Sequence, residues 1–284
     1  LAVLREYIDW TPFFQTWQLH GKYPRILEDE LVGAEAQKLF DDAQTMLDQI
    51  ISESWIEAKG VFGIWEAQRK GADDIQLYEN GKEKALLLSL RQQSQKAKGA
   101  PNMALADFVA AEQSDYVGAF AVCAGLGIES KLAEFKANHD DYSSILLKAL
   151  ADRLAEAAAE YMHREVRIKH WGYAKDEALN NDELIAEKYQ GIRPAPGYPA
   201  CPDHLEKNTL FEILEAEEIG MSLTESLAMN PAASVSGYYF AHPEARYFGL
   251  GKLDQDQVAD YAQRRGISQE EAEKWLRPNL NYNL

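Results

Sequence analysis

Two cysteines in 284 residues are too few for a disulfide framework, and Cys123 and Cys201 lack metal-ligand spacing. That usage fits a reducing compartment, and the cytoplasm is the expected location. Basic residues are also scarce: 29 Lys and Arg stand against 46 Asp and Glu, for a formal net charge of -17. Broad nucleic-acid binding needs a basic surface and is excluded, whereas a cationic small ligand would be drawn to an acidic field. The longest near-apolar run, Tyr116 to Ile128, is too short to span a bilayer, so no membrane partner is expected. No Gly-x-Ser-x-Gly, His-Glu-x-x-His or Cys-x-x-Cys motif occurs. His163 and His170 lie seven apart without an evident third ligand, so no metal site and no self-contained catalytic set is expected. Internal repeats and low-complexity tracts are absent as well. The opening Leu1-Ala2-Val3-Leu4 has no initiator methionine, and the chain reads as a piece of a longer polypeptide.

What is present is a mixture of two periods. Thr11 as N-cap and Pro12 as first helical residue predict a helix through the aromatic Phe13-Phe14 stretch. Asp9 stands just before it, as a turn residue or as a carboxylate at the edge of an aromatic cluster. Ala34 to Ile51 has helical spacing of apolar residues, and Tyr142 to about Trp171 predicts the longest helix. Between them come Gly60–Ala67, Asp73–Tyr78, an Asn80-Gly81 turn and Ala85–Leu90, which read as strands with a hairpin. Asp107-Phe108-Val109 reads as a short strand. Asp115–Ala124 reads as a buried strand running into Gly125-Leu126-Gly127, a near miss to a dinucleotide glycine loop and better explained as a tight strand-to-helix turn. Asn181–Gln190 and Glu206–Glu215 read as helices. Ser234–Phe240 and Ala245–Gly251 read as a second hairpin. Asp254 and Ser268 mark two last helices, Ser268 with Glu271 as a capping box. Strands that come as hairpins, not in βαβ alternation, predict an α+β fold with an antiparallel sheet.

Proline is sparse but concentrated. Four of the ten prolines fall in Arg193-Pro194-Ala195-Pro196-Gly197-Tyr198-Pro199-Ala200-Cys201-Pro202-Asp203-His204. Such a segment can be neither helix nor central strand, and it is stiff except at Gly197. Composition alone leaves two readings, a rigid connector or a ligand-binding strap that loses little entropy on binding. Asp152, Glu156, Glu160 and His163 recur at helical spacing, either as a solvated face or as a docking face for a cation or an imidazole.

This strap resembles the S-adenosylmethionine-binding segment of the C-terminal activation domain of cobalamin-dependent methionine synthases. Asp9-Trp10-Thr11-Pro12-Phe13-Phe14, Gly21-Lys22-Tyr23-Pro24 and Tyr239-Phe240-Ala241-His242-Pro243-Glu244-Ala245-Arg246-Tyr247-Phe248 are similar to the same family. The resemblance implies one activation domain over residues 1–284, C-shaped, with a twisted antiparallel sheet and flanking helices. It further implies contacts to S-adenosylmethionine from Asp9, Arg193, Gly197, Tyr198, Tyr247 and Phe248. Arg193 would suit the methionyl carboxylate and Asp9 the amino group. Asp152 and Glu156 match acids that engage the histidine released from cobalt. The implied role is reductive methylation of cob(II)alamin to methylcobalamin, within an enzyme that makes methionine from homocysteine. Implied partners are the cobalamin domain of the same polypeptide and flavodoxin or a related flavoprotein. The isolated fragment would not be catalytic by itself. Cobalamin would be met only through the neighbouring domain and zinc only in the homocysteine domain. No Asp-x-His-x-x-Gly cobalamin motif is present. Docking of an acidic flavodoxin would need a local basic patch, drawn from Arg91, Lys96, Lys98, Lys131 and Lys136. Two other functions stay open on the residues alone: a free-standing methyltransferase using Gly125–Gly127, and an interaction module without a small ligand.

Overall fold

A computed structural model describes residues 1–283. In chain order the helices and strands are α1 (Ala2–Arg5), α2 (Thr11–Thr16), α3 (Gly33–Glu53), β1 (Glu57–Lys70), β2 (Asp74–Glu79), β3 (Lys82–Leu87), β4 (Asp115–Leu126), α4 (Ile128–Ala137) and α5 (Asp141–Glu165). There follow α6 (Asn181–Ile185), α7 (Glu206–Leu214), β5 (Ser222–Leu223), β6 (Met229–Asn230), β7 (Ser234–Tyr239), α8 (Gln255–Arg265) and α9 (Gln269–Leu276). The expected α+β class is what the chain adopts. Five strands form an open antiparallel sheet in the order β3-β2-β1-β4-β7.

The sheet divides two cores. Phe120, Val122 and Ala124 of β4 face α3 and α5, while Val117, Ala119, Ala121 and Cys123 face α7. β4 lies between β1 and β7 and is covered on both faces, which is why it reads as a continuous apolar run. The predicted Asn80-Gly81 turn joins β2 to β3, and both residues take the positive φ such a turn demands, 53° and 75°. A third, smaller core packs Val258, Tyr261 and Leu276 of the C-terminal helices, with Leu250 and Leu253 from the segment before them, against Leu88 and Leu90.

Several expectations are corrected. The return strand is Lys82–Leu87, not Ala85–Leu90. Asp107-Phe108-Val109 is no strand; a single 3-10 turn covers Leu105–Phe108, because Asp107 accepts from Ala104 N at 2.9 Å and closes the turn locally. α6 stops at Ile185, well short of Gln190. The α2 N-cap is Trp10, and the Thr11 hydroxyl instead accepts from Tyr23 N at 3.2 Å. Asp254 caps α8 without its side chain, which is bound by Asn281 Nδ2 at 2.9 Å. At the second hairpin, residues 245–251 form no strand, because the edge of β7 that they would pair with is taken by the strap.

Candidate functional site

The strap starts as an extension of the sheet. Ile192 and Phe240 exchange both backbone hydrogen bonds at 3.0 Å, and Tyr238 N donates to Pro194 O at 2.9 Å. Proline is tolerated here because this is the sheet edge. Gly237 permits the seat: a Cβ there would stand 2.7 Å from Pro194 O. The chain then curls, with Tyr198 N donating to Ala195 O at 3.1 Å and Cys201 N to Tyr198 O at 2.9 Å. Gly197 has φ +95°, and a Cβ on it would meet the His204 ring at 2.3 Å. Beyond the curl, Leu250 N donates to Pro199 O at 2.8 Å and Tyr261 OH to Asp203, which anchors the strap's far end to the C-terminal helices.

Between strap, α5 and the β4–β7 edge lies a cleft of about 540 Å³. That is within the range of small-molecule sites. Arg193, Tyr198, Tyr247 and Phe248 all line it, so residues far apart in sequence converge as expected for one site. Tyr198 is exposed, and Phe120 contributes a buried aromatic lining. Glu156 and Glu187 add two acids. Gly197 is not among the lining residues, since its close approach is to His204. Asp9 lines a neighbouring cleft, whose wall at Ile185 and Ala186 leads directly to Glu187. Its Oδ1 accepts from Thr11 N at 2.9 Å, the turn role that its position suggests.

Arg193 is the best-held residue of the cleft. Its Nη1 lies 2.8 Å from Glu160 Oε2 and donates to Tyr189 OH at 2.8 Å, and its backbone N donates to Tyr247 OH at 3.0 Å. Its side chain is still 19% exposed. Burial raises the Glu160 carboxyl above its ordinary range, with Arg193 and Arg167 pulling the other way. Burial likewise raises the Tyr247 phenol.

The acid series on α5 splits in two. Asp152 and Glu156 are exposed, while Glu160 and His163 are buried. Partial desolvation pushes Asp152 up, against Arg153. The exposed acids of α5 and the cleft are contiguous, because Glu156 also lines the cleft. The basic residues do not form one patch. Arg91 is bound by Asp73 and Asp107, the latter also 3.6 Å from Arg69 near the end of β1, whereas Lys131 lies by Trp55 near its start. They therefore lie toward opposite ends of the fourteen-residue β1. Gly127, with φ +85°, closes the turn into α4.

Sequence reasoning did not assign Glu187, Phe120, Glu160 or Tyr189 to the site. Glu160 does carry a mark, its place in the helically spaced series with Asp152, Glu156 and His163, whereas the left-handed backbone of Glu187, φ 54° just beyond α6, appears only in the folded chain. Another cleft, of about 290 Å³ between α1, β1 and α5, is mostly apolar and lacks a comparable convergence of charges. Among the described residues no group of three or more His, Cys, Asp or Glu could hold a metal ion, and no helix is long and apolar enough to cross a membrane.

Residues 1–266 match a family model described as vitamin B12 dependent methionine synthase, activation domain. A crystal structure of the MetH reactivation domain bound to AdoHcy is similar throughout, with 55% sequence identity and a TM-score of 0.96. The match covers 99% of this chain and 88% of that one.

Proposed function

Because the chain belongs to the family of activation domains of vitamin B12-dependent methionine synthases, we propose that its strap cleft binds S-adenosylmethionine and presents the methyl group for reductive methylation of cobalamin. The observation that carries this reading is the convergence of Arg193, Tyr198, Tyr247 and Phe248 in one cleft beside Glu156 and Glu187. Each fits a part of such a ligand. The guanidinium edge of Arg193 suits the methionyl carboxylate. The two acids suit the amino group and the sulfonium, both cationic. The rings and the strap backbone offer a stacking face and hydrogen bonds for adenosine. Asp9, in the adjoining cleft, is assigned to the amino end of the ligand, with Gly197 setting the strap's curl.

S-adenosylmethionine supplies a transferable methyl group, which together with one electron from a flavoprotein such as flavodoxin restores methylcobalamin. This chain holds and orients the donor. The cobalamin sits in a neighbouring domain of the same polypeptide, for which Asp152 and Glu156 provide a docking face toward an imidazole. Zinc belongs only to the homocysteine domain. The isolated chain is a binding and positioning unit of a cytoplasmic enzyme, not a catalyst alone. Calorimetry with S-adenosylmethionine and S-adenosylhomocysteine tests the reading. Saturable one-to-one binding, lost in Arg193→Ala with the fold intact, is expected. Unchanged binding by Arg193→Ala would remove Arg193 from its role. Binding abolished by changing Gly125 or Gly127, in variants that stay folded, would move the site to that loop.

A further inference from the structure

Arg193 lines the cleft, and its guanidinium is held through one nitrogen only. Nη1 is held inside the protein by Glu160 Oε2 and Tyr189 OH and stands 3.4 Å from His163 Nδ1. Among the described residues Nε and Nη2 have no hydrogen-bond partner. An arginine nitrogen can only donate, so Nδ1 must accept, which places the imidazole proton on Nε2. Burial, Arg167 and Arg193 all disfavour the charged imidazole, so the neutral ring is the stable one.

The ring has little freedom to turn away. It stacks on Tyr239 at 4.8 Å and 8°, and Tyr239 stacks on Phe120, in the cleft lining, at 4.7 Å and 12°. Tyr189 meets the same imidazole edge-on at 4.9 Å, and the Arg167 guanidinium lies 4.1 Å from the Tyr189 ring. Arg167 is in turn fixed by two hydrogen bonds to Glu177, at 2.7 and 2.8 Å. Glu160 and His163 are three residues apart on α5, so helical geometry fixes their spacing.

We propose that Glu160 and His163 are positioning residues for the carboxylate of the bound ligand. They hold Arg193 by Nη1 and turn its remaining donors to the cleft. Neither touches the ligand; both act through Arg193. The inference rests on the reading of this cleft as a nucleoside–amino acid site. It makes a demand on ligand chemistry that general stability would not make. Loss of either residue weakens only ligands that carry the carboxylate.

The experiment compares S-adenosylhomocysteine with 5′-methylthioadenosine, which keeps adenosine and the thioether but lacks the carboxylate and amino group. Both are titrated calorimetrically into the 284-residue chain and into Glu160→Ala, Glu160→Gln and His163→Phe. Glu160→Ala and His163→Phe are expected to weaken S-adenosylhomocysteine about tenfold, the scale of one lost charge-assisted contact. Glu160→Gln keeps an acceptor for Nη1 and should stay within about threefold. Methylthioadenosine should bind all four proteins alike, which also reports that the cleft is folded. Equal loss of both ligands, or loss of neither, overturns the proposal. If the parent chain binds methylthioadenosine but gains nothing from the carboxylate, the proposal fails while the nucleoside site stands. If the parent binds neither compound, the reading of the cleft fails first and the proposal with it.

Discussion

Arg193 at the start of the strap and Arg265, whose contacts hold its far end, each face a buried glutamate, yet their surroundings differ. Around Arg265 every carboxylate oxygen of its two acids is engaged. Glu206 receives Arg265 Nη2, Tyr238 OH at 3.0 Å and Leu88 N at 3.4 Å. Asp203 receives Tyr261 OH and Leu205 N, and Arg265 Nε donates to Tyr261 OH at 2.9 Å. Around Arg193, by contrast, Glu160 Oε1, His163 Nε2, Arg167 Nη1 and Tyr239 OH are buried without a hydrogen-bond partner among the described residues. A saturated network serves to hold chain segments together, whereas one with spare capacity beside a cleft is suited to a ligand. The twelve residues of the strap thus run from a network with spare capacity at Arg193 to tightly engaged acids at its far end.

The largest expected effect falls on the fastening end. Arg265→Met leaves Asp203 and Glu206 buried without their cation and should cost about 3–5 kcal/mol in urea denaturation. Adding Glu206→Gln should recover part of that loss; no recovery would mean that Arg265 does not act through the pair. Next comes the seat at the sheet edge. Gly237→Ala sets a Cβ against Pro194 O, so the strap must shift, at a cost of about 1–3 kcal/mol with weakened S-adenosylhomocysteine binding. A variant with parental stability and affinity would show that the strap does not depend on this contact.

The two ends also respond to pH in opposite senses. Burial pushes Glu206 up to about 7 from its ordinary 4.5, with Arg265 opposing. Its favourable share is complete below pH 4.5 and is lost as pH rises to about 7. His163 is held well below 6.5, so its share is complete above that pH and is lost as pH falls, because only the unfolded chain takes up the proton. His163→Phe should therefore flatten the acid side of the stability curve by up to about 1.4 kcal/mol per pH unit below 6.5. Denaturation midpoints at pH 5, 6 and 7 check this, and an unchanged slope would mean that the buried ring charges in the folded state.

The smallest effect belongs to the exposed acids. Asp152→Ala with Glu156→Ala should change the chain's own stability by less than about 0.5 kcal/mol, as surface substitutions do. In the whole enzyme the same pair should slow reactivation, followed in the cobalamin spectrum. Unaltered reactivation would leave these acids as a solvated face.

Much of this was legible in the sequence because the signals are local. The periods of α3 and α5, the Asn80-Gly81 turn and the covered run of β4 report backbone geometry set by near neighbours. Proline content alone excluded the strap from helix and central strand. The resemblance then pointed to Arg193, Tyr198, Tyr247 and Phe248, which the fold does bring together. The failures were long-range. Residues 245–251 have strand-like composition, but only the folded chain shows the strap occupying the edge they would need. Asp152, Glu156, Glu160 and His163 share one helical spacing, and nothing in that spacing tells which are covered.

The sequence by itself determined the α+β class, the stiffness of the strap and the chemistry of its side chains, because these follow from dihedral restraint and local period. Tertiary structure decided which charge meets which. It put Glu160 under Arg193, left Glu156 in the open and closed Glu206 around Arg265. Burial and pairing depend on segments more than thirty residues apart, and a buried charge is defined only by what surrounds it.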